Sequence, residues 1–278
     1  MAGQRPCRYD KFMLIISHYL WSPEDQSMTT LVSHNSYWFQ GAPSLWGEER
    51  TQSHPHILAA LTRFYRQLAP DILCLQEVPS EEEASRLAEE LGMQATFARG
   101  GRRPAYGGAV LWHGSDAEVE DLTGYGDTAP FERMCLVLQC TGPEGLTIVT
   151  VHLSSNRYAP GREGDPVRLA ELQALFAACP QPDVIAGDFN ATPSGLVYQD
   201  MVARGFVECG SLACVPAIAN ERRVDYIWIR EARRLLVEPT DFQPAGFLLD
   251  RNSQTRLSDH PPIIAQLFDP TTDARNLR

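Results

Sequence analysis

Lysine is nearly absent from this sequence of 278 residues: Lys11 is the only lysine among 24 basic residues, and the others are arginine. A P-loop requires a lysine in a Gly-Lys-Ser/Thr setting, and Schiff-base enzymes require a lysine nucleophile. No Gly-Lys-Ser/Thr motif is present, and the body of the chain offers no lysine for a Schiff base. The sequence therefore excludes both of these enzyme classes.

The seven cysteines lack the spacing of a metal site. They are scattered, their number is odd, and no two of them form a Cys-x-x-Cys pair. A disulfide framework favours an even number of cysteines, and a cysteine zinc site favours closely spaced pairs. The sequence therefore predicts separate, reduced thiols, which are typical of a reducing compartment.

Long apolar runs are also absent. The stretch FMLIISHYLW at 12–21 is shorter than the roughly 18 residues that a membrane helix needs, and His18 interrupts it. No small-residue cleavage pattern follows it, so we predict no signal peptide. We expect a cytoplasmic, monomeric protein without a transmembrane segment, in which residues 1–27 form an N-terminal extension.

Acidic residues outnumber basic residues, and the formal net charge at pH 7 is -11. A negative net charge disfavours binding to extended duplex DNA, because neutralising the DNA phosphates needs a cationic surface. Arginines nevertheless cluster at 99–103, 157, 162 and 222–223. They are either solvated surface residues or contacts to extra phosphates. The expected partner is a phosphoester substrate, either a small molecule or a short single-stranded nucleic acid.

Strand and helix patterns follow one another through the chain. Helices are predicted at 55–69, 80–92, 166–179 and 194–204. Strands are predicted at 30–39, 71–78, 94–99, 107–113, 133–141, 146–154, 183–189, 223–229, 234–238 and 261–268. The strands outnumber the helices, and the two halves have similar layouts. The pattern predicts an α+β fold, a four-layer α/β/β/α sandwich of two mainly antiparallel sheets packed face to face with helices outside.

Polar side chains stand at the ends of several predicted strands. The residues are Glu77, His152, Asp188, Asn190, Asp225, Asp259 and His260. Each alone is explained by a turn cap, a solvated surface group or a satisfied histidine. Together they predict one site at a rim of the sandwich, where clustered carboxylates need protons or a cation to neutralise them. Oxygen ligands favour Mg²⁺ or Mn²⁺ over zinc, and a hard cation beside an Asp-His pair suggests phosphoester hydrolysis.

Five motifs occur in an order that resembles the endonuclease/exonuclease/phosphatase superfamily, which includes deoxyribonuclease I. They are PDILCLQEV (70–78), VHLSS (151–155), GDFNATP (187–193), RVDYI (223–227) and LSDHPPI (257–263). Each motif is weakly specific, but the ordered set is specific, and the resemblance runs from about Leu31 to Leu267. It implies a metal-dependent phosphoesterase domain, which we expect over residues 28–270 with a C-terminal tail at 271–278.

The resemblance also implies roles for the acidic and amide residues. Glu77 resembles the principal Mg²⁺ ligand, and Asn35 resembles the asparagine that assists at the metal and phosphate. Asp259 resembles a further metal ligand or an acid on the leaving-group side. Asp188 resembles the carboxylate that orients or deprotonates the attacking water, and Asn190 the residue that holds the phosphate or Asp188. Residues two apart on a strand point to the same side, so Asp188 and Asn190 are expected to reach one phosphate.

Two histidines receive roles from the same resemblance. His260 is expected to contact the phosphate and stabilise its charge, while Asp225 holds His260 in the working tautomer. His152 resembles a second family histidine, which serves as a general acid or phosphate ligand. The stretch FERMCLVL at 131–138 resembles the part of deoxyribonuclease I whose glutamate pairs with that histidine. Glu132 is therefore either a support for His152 or an exposed strand residue.

Other interpretations remain open at this point. Trp38, Phe39 and Trp46 follow the first strand, where they either pack in the core or form a base-stacking wall. Within the phosphoesterase class, a nuclease acting on DNA or RNA is the alternative. Outside it, we consider a non-catalytic phosphate-binding module on the same fold and a zinc hydrolase built on His54 and His56. The intact set of acids and imidazoles argues against the module, and the distance in sequence from other ligands argues against zinc.

Overall fold

The computed structural model describes most of the chain. The described residues are 28–46, 52–114, 116–141, 145–209, 222–233, 236–239, 247–250 and 252–268. The predicted N-terminal extension at 1–27 and the predicted tail at 271–278 lie outside these ranges. Within them, no helix combines the length and the apolar character that crossing a bilayer requires.

The described residues form twelve strands in two sheets. In chain order the strands are β1 (Met28–Asn35), β2 (Ile72–Gln76), β3 (Gln94–Ala98), β4 (Gly108–Trp112), β5 (Ala117–Asp121), β6 (Met134–Cys140), β7 (Thr147–His152), β8 (Val184–Asp188), β9 (Phe206–Cys209), β10 (Asp225–Arg230), β11 (Leu236–Pro239) and β12 (Ile263–Phe268). The first sheet has the order β11-β12-β1-β2-β4-β3, and the second has the order β5-β6-β7-β8-β10-β9. Each sheet is mainly antiparallel, with one parallel pair at its centre: β1 with β2, and β7 with β8.

Four α-helices lie within the described ranges: α1 (Pro55–Leu68), α2 (Glu81–Leu91), α3 (Asp165–Ala178) and α4 (Leu196–Ala203). Helix α2 begins where the Ser80 hydroxyl accepts a hydrogen bond from the backbone N–H of Glu83, and it ends at Gly92 with a φ of +68°. Such end signals act over three or four residues, so they can be found in the sequence. The predicted helices agree with the observed ones to within two residues.

The apolar side chains fill three layers. The middle layer lies between the sheets and includes Leu31, Cys74, Leu136, Ile148 and Ala186. The layer under α1 and α2 includes Val32, Leu61, Leu75 and Leu87. The layer under α3 and α4 includes Val149, Leu172, Met201 and Trp228. Neighbouring residues Leu31 and Val32 fall in different layers because side chains alternate along a strand. The predicted order of helix, sheet, sheet and helix is confirmed.

The first strand ends earlier than predicted. The sequence pattern extends it to residue 39, whereas β1 ends at Asn35. Tyr37, Trp38 and Phe39 have φ values of +48°, +48° and +56°, and an extended strand cannot continue through left-handed residues. The turn carries Tyr37 and Trp38 over the end of the first sheet.

Two short strands at the edges of the second sheet, β5 and β9, were not predicted. Their sequences, AEVED and FVEC, carry acidic residues and no apolar run, so they lack the pattern of a buried strand. The other predicted strands agree with the observed ones to within two residues.

Candidate active site

The strand topology brings the polar strand ends to one rim. Because β7 and β8 are parallel and in register, their last residues, His152 and Asp188, lie side by side. Strand β10 runs antiparallel to β8, which places its first residue, Asp225, opposite Asp188. In the first sheet, β1 and β2 are parallel, so Asn35 lies beside Gln76 and Glu77 follows directly. Two pairs of parallel strands, one in each sheet, therefore deliver their carboxyl ends to the same edge of the sandwich.

Asp188 connects the two sheets at the rim of the sandwich. Its Oδ2 accepts a hydrogen bond from Asn35 Nδ2 at 3.2 Å, across the gap between the sheets. The Nε2 atom of His152 lies 3.2 Å from the same oxygen and 3.9 Å from Oε1 of Glu77. The carboxylate of Asp188 is thus held from both sheets, and its side chain is almost fully buried at the floor of the site.

Asn35 is oriented by two hydrogen bonds within the protein. Its amide nitrogen donates to Asp188, and its Oδ1 accepts a hydrogen bond from the backbone N–H of Tyr37 at 3.2 Å. The sequence assigned Asn35 to the metal. The structure gives its amide oxygen and its amide nitrogen other partners, because the left-handed turn at Tyr37 aims a backbone N–H at Oδ1. Asn35 is therefore placed to position Asp188.

Asn190 reaches the site by a turn. Strand β8 ends at Asp188, and Asn190 has a left-handed φ of +49°. Its backbone N–H donates to Asp188 Oδ1 at 2.8 Å, while its side-chain Nδ2 donates to the carbonyl of Leu153 at 3.0 Å. The expectation that strand pleating aligns the two side chains is corrected: the backbone of Asn190 holds Asp188, and its side chain lines the cleft beside it.

Asp225 and His260 form a hydrogen-bonded pair. The distance from His260 Nδ1 to Asp225 Oδ2 is 2.7 Å. Burial by itself lowers the pKa of His260, but the carboxylates of Asp225, Asp188 and Asp259 outweigh burial and hold that pKa well above its usual value. Burial raises the pKa of Asp225 to about 6, which still leaves the carboxyl ionised at pH 7. His260 is therefore a cation at neutral pH, with Nδ1–H directed at Asp225.

The carboxylates that face the cleft have too few positively charged neighbours to balance their own charge. Burial raises the pKa of Glu77 to about 8, and the charges of Asp259 and Asp188 add to this against the opposing charge of Arg133. Burial also raises the pKa of Asp259, against the opposing charge of His260. Buried acids with raised pKa values indicate that the site accommodates more positive charge than the side chains supply. A bound divalent cation fits this donor set, since carboxylate oxygens are the ligands of hard cations.

One compact group of possible ligands stands out among the described residues: Asp188, Asp225 and His260, whose ligand atoms lie within 4.8 Å of one another. Two of the three are already joined by the hydrogen bond between Asp225 and His260, and that bond explains the short distances. The acids best placed for a cation are instead Glu77 and Asp259. Both line the cleft, and the charge of Asp259 raises the pKa of Glu77 and of Asp225.

His152 lies beneath the cleft. It has no exposed surface, and it is absent from the residues that line the cleft. Burial lowers its pKa well below the usual value, and the charges of Arg133 and His260 lower it further. Within the described part of the chain, its Nδ1 atom has no hydrogen-bond partner. A role as phosphate ligand, which the resemblance implied, does not agree with this placement.

Glu132 does not support His152. Its backbone N–H donates to Glu171, and its side chain lies 4.0 Å from Arg102. The residue that reaches His152 is the next one, Arg133, whose Nη1 contacts His152 Nε2. Of the two alternatives for Glu132, support for His152 is wrong, since Arg133 makes that contact, and Glu132 is buried and precedes β6, so it is not an exposed strand residue either.

Arg133 is the functional candidate that the sequence analysis missed. Its side chain is 5% exposed, its guanidinium lies 4.4 Å from the centroid of the Tyr106 ring, and it lines the cleft. An arginine this deeply buried requires compensation from anions, aromatic faces or a ligand. The available signal was an arginine directly before the apolar strand MCLVL.

The cleft has a volume of about 850 Å³, which exceeds the size of a phosphate group and suits a larger ligand. Tyr37, Trp38 and Tyr106 form one wall, where the Trp38 and Tyr106 rings lie 5.1 Å apart. Phe39 is fully buried in the core. The rings of Trp46 and His54 pack with their centroids 4.8 Å apart. Neither Phe39 nor Trp46 therefore belongs to the wall of the cleft.

Only part of the predicted arginine clusters reaches the site. Arg157 and Arg222 line the cleft. Nη2 of Arg223 lies 2.5 Å from Oε2 of Glu208 in an ion pair. The guanidinium of Arg103 stacks 4.3 Å from the centroid of the Tyr158 ring. The side chain of Arg162 lies outside the described part of the structure.

His54 and His56 do not form a metal site in the described part of the chain. Their rings lie 5.4 Å apart, and the possible metal-ligand groups of three or more residues found there do not include them. The zinc hydrolase hypothesis therefore has no structural support.

Comparison with known proteins identifies the family. The family model for the Endonuclease/Exonuclease/phosphatase family matches residues 35–260, which is more than half of the chain. No curated protein sequence is significantly similar to the chain.

Among solved structures, the human nocturnin catalytic domain with a bound sulfate anion has a TM-score of 0.65 and 20% identity, over 88% of this chain and 97% of that one. The mannosyl-6-phosphatase Bt3783 from Bacteroides thetaiotaomicron VPI-5482 has a TM-score of 0.59 and 16% identity, over 86% and 99%. A D. rerio TDP2 humanized by 14 mutations has a TM-score of 0.60 and 16% identity, over 86% and 98%. At these identities the likeness shows the fold alone. The match of the family model, which spans the rim residues from Asn35 to His260, shows that this chain belongs to the endonuclease/exonuclease/phosphatase family.

Proposed function

We propose that the protein is a Mg²⁺-dependent hydrolase of a phosphoester, and that Mn²⁺ can replace Mg²⁺. One observation carries the proposal: Glu77, Asp188 and the adjacent pair Asp259 and His260 come from three separate parts of the chain and line one cleft. Keeping several acids together in a buried site costs free energy, so such clusters mark sites where the charge is used. The proposed catalytic domain spans residues 28–270.

Glu77 and Asp259 would hold the cation. Their pKa values are raised by burial, and a cation favours the ionised forms, so binding releases protons from these groups. The bound cation would supply Lewis-acid polarisation of a phosphoryl oxygen and a lower pKa for a bound water. Asn35 orients Asp188 beside this site.

Asp188 would accept the proton of the attacking water. Hydrogen bonds from Asn35 and from the Asn190 backbone fix the carboxylate, so one orientation is available for the water. The water oxygen forms the new bond to phosphorus, and the bond from phosphorus to the leaving oxygen breaks. His152 would position Arg133 from below, since its unprotonated Nε2 accepts a hydrogen bond from the guanidinium.

His260 and Arg133 would stabilise the negative charge that develops on the phosphoryl oxygens. His260 is protonated at neutral pH because Asp225 and the neighbouring acids raise its pKa. Arg133 presents a guanidinium whose charge acts on Glu77, and the face of Tyr106 supports it. Fixed cations and donors aimed at developing charge are among the largest contributions to catalysis.

The substrate class follows from charge and space. The net charge of -11 disfavours extended duplex DNA, and a cleft of about 850 Å³ accepts a small phosphoester or the end of a single strand. Arg157 and Arg222 lie on the cleft wall, where they would contact further anionic groups of the substrate. The intact acids and imidazoles favour turnover over a non-catalytic binding role.

Hydrolysis of bis-p-nitrophenyl phosphate tests the proposal. We expect activity with Mg²⁺ or Mn²⁺, its loss in EDTA, and a fall in kcat of about 10³-fold in Glu77→Gln and in Asp188→Asn, because each removes a charge used in the transition state. Glu82→Gln, on the exposed surface of α2, is the matched control and should retain wild-type activity. Hydrolysis that persists in EDTA, or in both site variants, would refute the proposal.

A further inference from the structure

His34 is a buried histidine that the proposed reaction does not use. It precedes Asn35 on β1, but its side chain points the other way, into the layer between the first sheet and α1. It is 1% exposed, and its ring packs edge-on against Phe247 with centroids 5.3 Å apart. A polar ring in an apolar layer costs free energy unless both nitrogens are satisfied.

Both ring nitrogens of His34 have partners. Nδ1 lies 2.5 Å from the hydroxyl of Tyr65, which is on α1 and fully buried. Nε2 lies 2.9 Å from the backbone carbonyl of His260, 226 residues further along the chain. A side chain on one face of β1 is therefore bonded to the main chain of the histidine that faces the cleft.

The direction of these hydrogen bonds follows from the partners. A carbonyl oxygen can only accept, so Nε2 of His34 carries the proton and donates to His260. Nδ1 is then the acceptor and receives the proton of the Tyr65 hydroxyl. Burial lowers the pKa of His34 to about 3, so the ring is neutral, as this arrangement requires. Tyr65 thereby fixes the tautomer that binds His260.

The segment that carries His260 has few other connections. Pro261 and Pro262 follow it and have no backbone N–H to donate. Ser258 supplies a second link, since its hydroxyl donates to the carbonyl of Asn35 at 2.7 Å and accepts from the His260 N–H at 3.2 Å. The main chain at 258–260 is thus tied to the end of β1 at two successive residues.

The ring of His260 is held by the other sheet. Asp225, at the start of β10, bonds its Nδ1 at 2.7 Å. His260 therefore spans the two sheets, with its main chain fixed to the first and its imidazole fixed to the second. The position of its free Nε2 atom depends on both attachments.

We propose that His34, with Tyr65, is a positioning residue that fixes the main chain of His260 so that its ring faces the cleft at bonding distance from Asp225. This inference rests on the proposed function only in the role given to His260. A displacement of about 1 Å in a catalytic group can lower the rate by about 10²-fold. The contribution of His34 is therefore expected in kcat, because it touches no substrate.

Three variants test the proposal. His34→Phe keeps a planar ring but removes both hydrogen bonds, and we expect kcat to fall by about 10- to 100-fold with KM changed less than about twofold. His34→Gln keeps a donor and an acceptor, so it should recover most of the lost kcat. Tyr65→Phe removes the hydroxyl alone and should give a smaller fall in kcat. The exposed His56→Gln is the matched control, and the melting temperature is measured for each variant.

A second measurement does not depend on catalysis. Hydrogen–deuterium exchange of the backbone at 257–260 should become faster in His34→Phe and stay near the wild-type rate in His34→Gln. If the wild-type protein hydrolyses no phosphoester, the proposed function fails while this exchange still tests the contact. A His34→Phe protein that folds with wild-type kcat and exchange overturns the inference. So does a His34→Gln protein as impaired as His34→Phe, and if His34→Phe does not fold, an unchanged kcat in Tyr65→Phe has the same meaning.

Discussion

His152 and His260 both lie beside Asp188, yet their surroundings give them different protonation states. His260 Nδ1 bonds to a carboxylate, Asp225, and the neighbouring acids hold its pKa well above the usual value. His152 contacts a guanidinium, Arg133, and burial together with that cation holds its pKa well below the usual value. The resemblance gives His260 a contact to the phosphate and His152 a role as general acid or phosphate ligand. The structure separates them into a cation that lines the cleft and a neutral ring beneath it.

The charged partner of each imidazole therefore determines whether the ring is protonated, and so which role it can have. Both rings are buried, and burial alone makes a histidine neutral. His260, whose Nδ1 bonds to Asp225, overcomes this and stays protonated at neutral pH, whereas the Arg133 guanidinium opposes protonation of His152. His260 is thereby suited to stabilise negative charge on a ligand, and His152 is suited to accept a hydrogen bond from Arg133 and hold its guanidinium in place.

The largest expected effect comes from removing the partner of His260. In Asp225→Asn we expect kcat at pH 7 to fall by about 10³-fold, since a carboxylate that orients a working imidazole contributes up to about 10⁴-fold. Activity needs protonated His260, so it is lost as pH rises through the raised pKa. The substitution lowers that pKa, and the basic limb of the kcat profile should move down by about one pH unit or more. Asp200→Asn, on α4, is the control, and an unmoved basic limb would contradict the assignment.

Removing the partner of His152 should have a smaller effect of a different kind. In Arg133→Met we expect kcat to fall by about 10²-fold through lost charge stabilisation. The pKa of His152 should rise, because a neighbouring cation no longer opposes protonation. Imidazole proton shifts followed by NMR against pH measure this change. Arg86→Met, with a side chain 59% exposed, is the control; a His152 pKa that stays the same would show that Arg133 does not set its charge.

The smallest effect is expected for Glu132, for which support of His152 was one of two interpretations of the sequence. Its side chain faces Arg102 at 4.0 Å, and its contact to Glu171 uses the backbone N–H, which a substitution retains. Glu132→Gln should therefore leave kcat and KM within about twofold of the wild type. A loss as large as that of Asp225→Asn would restore the pairing of Glu132 with His152 and remove the contrast between the two histidines.

Local signals were sufficient for much of the fold. Ser80 and Gly92 mark the ends of α2 within a few residues of sequence, and the runs DILCLQ and DVIAGD mark buried central strands. The order of motifs also predicted Glu77 and Asp188 as site residues, and both line the cleft. These features depend on neighbours in the chain, so a sequence pattern contains them.

Other features of the site depend on contacts between distant residues. Arg133 reaches His152 through the pairing of β6 with β7, and the turn after β8 aims the backbone of Asn190 at Asp188. The first strand was predicted too long because its end, too, is set by the backbone conformation of the fold. Its apolar residues continue to Phe39, and only the left-handed backbone at 37–39 ends it.

The amino-acid sequence was enough to predict the family, the helix ends, the central strands and most of the acids at the rim. The tertiary structure alone decided which histidine is charged, which arginine enters the site and that His34 is bonded to His260 from the far face of β1. The two groups of features differ in how far apart along the chain the interacting residues lie. Caps and strand patterns act between residues a few positions apart, whereas protonation and orientation depend on partners that the sheets bring together from distant parts of the chain.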